Sequence, residues 1–309
     1  MTNAAEEAIR VLAVGEILWD IFDGTEILGG AALNFSANIQ RLGGAATLIS
    51  GVGADDRGYR AIDDMKNLGL STEAVQAVAG VATGIALVQS DRSGDTTFHI
   101  PRPAAFDRID LNASSITVDA MGFIDWIYFG TLLQTEPPLE AFIAELIHSQ
   151  PRARCFYDLN LRTGHWNYEL VQRLSHRCNV MKLNLDEAKT LSELSCFRSQ
   201  TFDLVTFCRQ WASEYDIEAM CVTLSADGCL IYNNGSADTY NGFPVEVHDT
   251  VGAGDAFAAA FLHGYHSNWP TENIASFANA AGALVASRPG ATPEWTYGDC
   301  NSLAQQLTR

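Results

Sequence analysis

The sequence predicts an α/β protein built on a mostly parallel sheet with helices on both faces. Two observations carry this. Short apolar runs of strand length alternate with segments of helical periodicity through most of the chain, and such alternation is the mark of parallel strands joined by crossover helices. Polar residues then gather where those runs end, around 158–162, 184–187 and 223–228. In open α/β sheets that edge is where ligands bind.

Taken in order, 11–15 reads as a first buried strand. It leads into 16–24, where Asp23-Gly24 signals a tight turn. Leu28-Gly29-Gly30 follows, then a helix over 31–42 with Leu33, Ala37 and Leu42 on one face and Gly43-Gly44 at its end. Asn34 and Asn38 lie four apart in it. Asn is a weak helix former, so one of the two is expected to be kept for a ligand. The Gly29-Gly30 pair reads either as a tight strand-to-helix turn or as a close approach of backbone to ligand. Asp20 reads either as a solvated strand end or as a site residue.

A second buried strand is expected over 46–52. The stretch 51–56 resembles the start of a dinucleotide fingerprint but lacks the third glycine, and is discounted. A helix over 57–68 ends at Gly69. Runs at 85–90 and 96–100 flank Asp91-Arg92-Ser93-Gly94-Asp95, a hairpin signal. With the 19–28 region this hairpin could form a small sheet apart from the main core, either a flap that closes over a site or a static appendage. Strands at 127–130, 155–158, 180–183, 219–224 and 229–232, with a helix over 139–149, continue the pattern. No repeat or linker interrupts it, so the main body is read as one domain.

The chain has 309 residues and a net charge of −18, with three lysines, Lys66, Lys182 and Lys189. Nucleic acid and anionic membrane are excluded as partners, because each needs clustered cations. An anionic substrate would have to be held at short range, by backbone donors, a metal ion and a few arginines. Seven widely spaced cysteines without a C-x-x-C pair suit reduced thiols in a cytoplasmic protein. There is no signal-peptide pattern and no apolar run long enough for a membrane span. A P-loop, an H-E-x-x-H metal motif and a G-x-S-x-G elbow are all missing.

The most informative stretch is DTVGAGDAF at 249–257. Gly252, Ala253 and Gly254 open directly into a helix whose apolar face includes Phe257 and Phe261. The first amides of that helix lack intrahelical partners, and with the helix dipole they form a site for anionic oxygen. Asp255 stands at the same point. It could take a proton from an incoming hydroxyl, or it could be an acid favoured in any first helical turn. At a helix N-terminus it is expected to keep a low pKa.

The ordered set of GGAALNFSANIQRLG at 29–43, GVGADDRG at 51–58, YDLNLR at 157–162, KLNLDEA at 182–188, TLSADG at 223–228, DTVGAGDAF and ANAAGALVASRPGATP at 278–293 resembles the ribokinase-like (PfkB) family of carbohydrate kinases. The resemblance covers nearly the whole chain. It implies a three-layer α/β sandwich in a single domain, 1–309, with a small β-sheet lid drawn from about 18–30 and 84–105. It also implies that Asp255 is the catalytic base, that the amides of Gly252, Ala253 and Gly254 are the anion hole, and that Arg162 lies near the transferred group. Asp20, Gly29, Gly30, Asn34 and Asn160 would hold sugar. Asn184, Thr223, Ser225, Gly228, Gly254 and Asn279 would line ATP. Glu187 would organise magnesium, partly through water, while Asp249 and the carbonyls of Val251, Val285, Arg288 and Gly290 would hold a monovalent cation such as potassium. Ser225 departs from the family, where glycine is common at that place.

GEILWDIFDG, YFGTL at 128–132 and YDLNLRTGHW at 157–166 look most like the fructokinases, implying D-fructose as acceptor and fructose 6-phosphate as product. Other acceptors, namely 2-keto-3-deoxygluconate, ribose or a nucleoside, would share the catalytic residues. A nucleoside kinase would be expected to add an aromatic clamp, for which Trp19, Phe98 and Phe106 are the candidates. A catalytically silent sugar-binding or regulatory protein is the reading from another class. The small sheet is expected to pair two subunits into a homodimer. Replacing Asp255 by Asn is expected to lower turnover by several orders of magnitude while sugar and nucleotide still bind; steady-state kinetics and calorimetry on the purified variant check this.

Overall fold

The structure, a computed structural model, describes residues 8–90, 96–196 and 201–306. It opens with strand β1 (Arg10–Val14), followed by β2 (Leu18–Phe22) and β3 (Thr25–Gly29), helix α1 (Ala31–Arg41), β4 (Ala45–Gly53), α2 (Asp56–Asn67) and β5 (Val75–Val78). Strands β6 (Gly84–Ser90) and β7 (Thr96–His99) come next; the expected hairpin turn at 91–95 lies outside the described residues. The alternating part is α3 (Leu111–Met121), β8 (Trp126–Gly130), α4 (Thr131–Gln134), α5 (Pro137–Ser149), β9 (Arg154–Asp158), α6 (Tyr168–Ser175), β10 (Val180–Asn184), α7 (Leu185–Leu194), α8 (Leu204–Tyr215) and β11 (Ala219–Thr223). The chain closes with β12 (Cys229–Asn233), β13 (Ser236–Tyr240), α9 (Ala253–His266), α10 (Thr271–Ala286) and α11 (Tyr297–Ala304).

The main sheet has nine strands in the order β13-β12-β11-β10-β9-β8-β1-β4-β5. Only the two pairs made by β12 are antiparallel. The edge strands β5 and β13 have no counterpart in the sequence reading. Both are short and half-exposed, so neither carries an apolar run to announce it.

Side chains alternate between the two faces as the pleat requires. Val11, Ala13, Trp126, Tyr128, Phe156 and Val180 share a core with α1, α9 and α10. Leu12, Val14, Ile127, Phe129, Tyr157 and Met181 share the opposite core with α5, α6, α7 and α8. Phe35 of α1 stacks on Tyr128 with ring centroids 3.8 Å apart, and Phe261 of α9 tilts against Phe156 at 6.3 Å. These aromatic contacts seat α1 and α9 side by side over the sheet and so fix where the N-terminus of α9 stands.

The second sheet has four strands in the order β3-β2-β6-β7. It stands on α2. Glu26 of β3 pairs with both Arg57 and Arg60, and the Trp19 indole donates to the Arg57 carbonyl at 3.1 Å under the Arg60 guanidinium. Trp19 is engaged with α2 and Phe106 is buried, which counts against either as the aromatic clamp a nucleoside acceptor would need. The side chain of the third candidate, Phe98, lies outside the described residues. Phe261→Ala is expected to cost about 3–5 kcal/mol, the range for emptying a fully buried aromatic site. Urea unfolding followed by circular dichroism measures it.

Candidate active site

Parallel strands place their C-terminal ends along one edge, and the site is built there. Residues just past β1 (Glu16), at or past the end of β9 (Asp158, Asn160, Arg162), in β10 (Lys182, Asn184) and at the end of β11 (Thr223) all meet the N-terminus of α9. Most of them line a cleft of about 600 Å³ whose other wall is the small sheet. Asp20, Gly30, Asn34, Asn160, Arg162, Asn184, Thr223, Asp249, Val251, Gly252, Gly254 and Asp255 all face this cleft. The small sheet and its flanks contribute Leu18, Phe22, Ile27, Ala86 and Ile100, an apolar ceiling in which Asp20 is the polar group.

Helix α9 begins on Gly252, whose φ of 78° is left-handed and favours glycine. A Cβ there would lie 2.0 Å from the Ala291 carbonyl oxygen. Among the described residues the amides of Gly252 and Gly254 have no acceptor, while the Ala253 amide donates to the Thr250 carbonyl at 3.3 Å. The cradle therefore offers two free donors, with Asp255 one residue further on.

The Asn34 side-chain amide donates to Asp255 Oδ2 at 2.9 Å, and its own Oδ1 is buried without a partner. Asn38, one turn later, is fully used by the fold: it donates to the Asn34 carbonyl and accepts from the Trp295 indole. Of the two asparagines singled out in this helix, Asn34 is thus the one with an unmatched polar atom and a place in the cleft. A Cβ on Gly29 would stand 2.4 Å from Asp20 Oδ2, so a side chain there would displace that carboxyl. Asn160 has a φ of 44°, a strained value for a residue with a side chain, and such strain concentrates at functional places.

The low pKa expected for Asp255 does not hold. Burial pushes its carboxyl up to about 6, against the pull of the Lys182 ammonium and the Asn34 hydrogen bond. The sequence reading counts the helix dipole and misses the desolvation of a half-buried carboxyl set in the cleft beside α1. Asp20 is pushed further, to about 7, by burial, with Arg162 opposing and Asp255 adding to the rise. Burial also raises Glu16, which accepts from the Ala31 amide at 2.9 Å.

The remaining predicted residues fall into two groups beside the cleft. Ser225, Gly228 and Asn279 border a neighbouring wall: the Asn279 amide donates to the Asn241 carbonyl at 3.0 Å, tying α10 to the end of β13. Ser225 has a φ of 55°, which accounts physically for glycine being favoured there. The loop 248–251 is stitched to α10 by the amides of His248 and Asp249, both donating to Ala286, and Asp249 Oδ1 accepts from the Val251 amide. Val285 lies in the last turn of that helix, with Arg288 and Gly290 just past its end.

Glu187 accepts from the Leu161 amide at 2.7 Å and the Asn184 amide at 2.8 Å, one on each oxygen. Among the described residues no group of three acidic, histidine or cysteine side chains is arranged to hold a metal. Both Glu187 oxygens are thus engaged within the protein, and a magnesium ion here would have to be carried mainly by phosphate oxygens and water.

The sequence pattern passed over Lys182, Asp158 and Tyr128. Lys182 Nζ lies 2.9 and 3.1 Å from the two Asp158 oxygens, and the Tyr128 hydroxyl donates to Asp158 at 3.1 Å. The signal was present as a charged residue at a core-facing position in each of two apolar strands.

The family model described as "pfkB family carbohydrate kinase" matches residues 9–296. The chain belongs to the pfkB family of carbohydrate kinases. It is 27% identical over 279 residues to "Probable fructokinase-4" of Arabidopsis thaliana, covering 86% of this chain and 83% of that one. It is 25% identical over 300 residues to "Aminoimidazole riboside kinase" of Salmonella typhimurium, covering 91% and 90%. In structure it is similar to a fructokinase from Xylella fastidiosa solved with bound ATP, with a TM-score of 0.83 at 23% identity over 97% of this chain and 99% of that one.

For this pfkB kinase the buried acids carry a stability cost. A carboxyl whose pKa is raised on folding stabilises the fold below its unfolded value and loses that contribution as pH rises through the folded one. For Asp20 the loss spans about pH 4 to 7. Asp20→Asn is therefore expected to stabilise the protein at pH 8 by about 1–3 kcal/mol, with little change at pH 4. Thermal unfolding at the two pH values, alongside sugar affinity, measures it.

Proposed function

We propose that this kinase transfers the terminal phosphoryl group of ATP to a hydroxyl of a sugar, with D-fructose as acceptor and fructose 6-phosphate as product. The observation that carries the reading is the Asn34–Asp255 hydrogen bond. It joins the helix that borders the acceptor wall to a carboxyl seated at the free amides of Gly252 and Gly254. A hydroxyl placed there would attack the phosphorus, the bond from phosphorus to the ADP oxygen would break, and the hydroxyl proton would pass to Asp255. The two amides and Arg162 would receive charge on the transferred group. A loose transition state asks mainly for such positioning and charge stabilisation.

Sugar hydroxyls would be held by Asp20, Asn34 and Asn160, with the Gly29-Gly30 backbone shaping the wall. ATP would run from the cradle along Asn184 and Thr223 to Ser225, Gly228 and Asn279. Magnesium, when bound, would neutralise charge between the phosphates, with Glu187 ordering its water. Potassium would sit in the loop formed by Asp249, Val251, Val285, Arg288 and Gly290 and hold the start of α9. The small sheet would act as lid over the acceptor and as the pairing surface of a homodimer, with half-exposed Phe22 at its outer end. Fructose is supported by the likeness to plant fructokinases and by the buried state of Trp19 and Phe106, which counts against a base-stacking acceptor. The free amides and the raised Asp255 carboxyl count against a silent binding protein.

ADP release with ATP, magnesium and potassium is expected to be fastest with D-fructose in a panel that includes ribose, 2-keto-3-deoxygluconate and nucleosides. Release with none of them would overturn the reading. With fructose, kcat/KM is expected to fall tenfold per pH unit below about 6, where Asp255 becomes protonated and can no longer accept the proton.

A further inference from the structure

We propose that Lys182 is a positioning residue of the phosphoryl-transfer site. Held by Asp158, it fixes a permanent positive charge under the Gly254 peptide and the Asp255 carboxyl. This rests on the kinase reading above.

Register makes the pair. Asp158 ends β9, and Lys182 is its direct neighbour on β10. Both have the parity of Phe156 and Val180, which face the core shared with α9. The two charged side chains must therefore point at the start of α9. Asp158 is wholly buried and Lys182 is 8% exposed. A Cβ on Gly254 would stand 3.3 Å from Lys182 Nζ, so the ammonium lies against the peptide whose amide is free. The other two lysines pair with acids three residues earlier on open helical surfaces. Only Lys182, of the three, is taken out of water.

Stability does not explain this placement. A buried ion pair commonly does no better than well-packed apolar residues of the same volume. Here it stands where negative charge must collect. Asp255 is faced by Asn34 from α1, Lys182 from β10, Asp158 from β9, Arg162 from the loop after β9 and Asp20 from β2. Arg162 sits on a loop, whereas Lys182 is fixed by the sheet. Burial works against the Lys182 charge, but Asp158, Asp255 and Glu187 outweigh it and hold the side chain protonated above its ordinary range. The charge therefore stays in place throughout the working pH range. It favours the ionised base before reaction and offsets charge delivered to the Gly252 and Gly254 amides during it.

Three variants test this: Lys182→Met, Asp158→Asn and the two combined. In Lys182→Met the acid limb of the kcat/KM profile is expected to move up from about 6, and in Asp158→Asn to move down, because the two groups act on Asp255 with opposite sign. The combined variant is expected to fold as well as the parent, having no uncompensated charge. It should retain a sugar KM within about threefold while kcat falls by roughly 10²–10³, the scale for losing one charge-stabilising donor. If Lys182→Met does not fold, the combined variant and Asp158→Asn still decide. A combined variant with near-parental kcat, or an Asp158→Asn limb that does not move, would show a merely structural pair and overturn the proposal. Should the parent protein release no ADP with any acceptor, the kinase reading falls. The pair then stands or falls on the Asp255 carboxyl titration by NMR in Asp158→Asn against the parent, where a downward shift supports it and an unchanged midpoint overturns it.

Discussion

The hydrogen bond between Asn34 and Asp255 joins residues 221 positions apart in sequence, and the site is organised around it. It exists because α1 and α9 lie side by side on the sheet, seated by Phe35 on Tyr128 and Phe261 on Phe156. Move either helix by an ångström and Asn34 loses its hold on the carboxyl. The aromatic layer is thus more than filler: its close packing sets the tolerance to which the reacting groups are held.

The same packing creates the electrostatic character of the cleft. Glu16, Asp20, Asp158, Asp249 and Asp255 converge with Arg162 and Lys182, and enclosure pushes several of these carboxyls upward. In water such acids would repel incoming phosphate at little gain. Burial instead lifts Asp20 to about 7 and Asp255 to about 6, where a carboxyl can hold a hydroxyl by giving or accepting a hydrogen bond. The fold bears strain at the same place, in the backbone of Asn160. Local rules are broken where a site needs particular geometry, and the surrounding nine-stranded sheet supplies the stability that permits it.

Much of this was legible in the sequence. The βα rhythm gave the central strands, and the ordered motifs placed the acid of 255 beside the small residues of 252–254. What escaped had physical reasons. The edge strands β5 and β13 have no apolar run, because an edge is half in water. The pKa of Asp255 was misjudged because the helix dipole is a local property, visible in the chain, whereas desolvation depends on what folds over it. Lys182 and Asp158 lie within motifs that assign them no role, since their meaning lies in strand register, and register appears only when two strands 24 residues apart are laid side by side. Asn34 and Asn38 were indistinguishable by composition. Trp295, more than 250 residues away, takes Asn38 for the fold and leaves Asn34 for the site.

The two sheets also divide the molecule along a line that matters for descent. The groups proposed to move the phosphoryl sit on the ends of the large sheet and on α9. The apolar ceiling of Leu18, Phe22, Ile27 and Ala86 belongs to four strands that form a sheet of their own and rest on α2. Substitutions in that ceiling would reshape the room proposed for an acceptor without disturbing the strand ends. A chain of this design can change its diet by altering one small sheet while its chemistry is inherited intact.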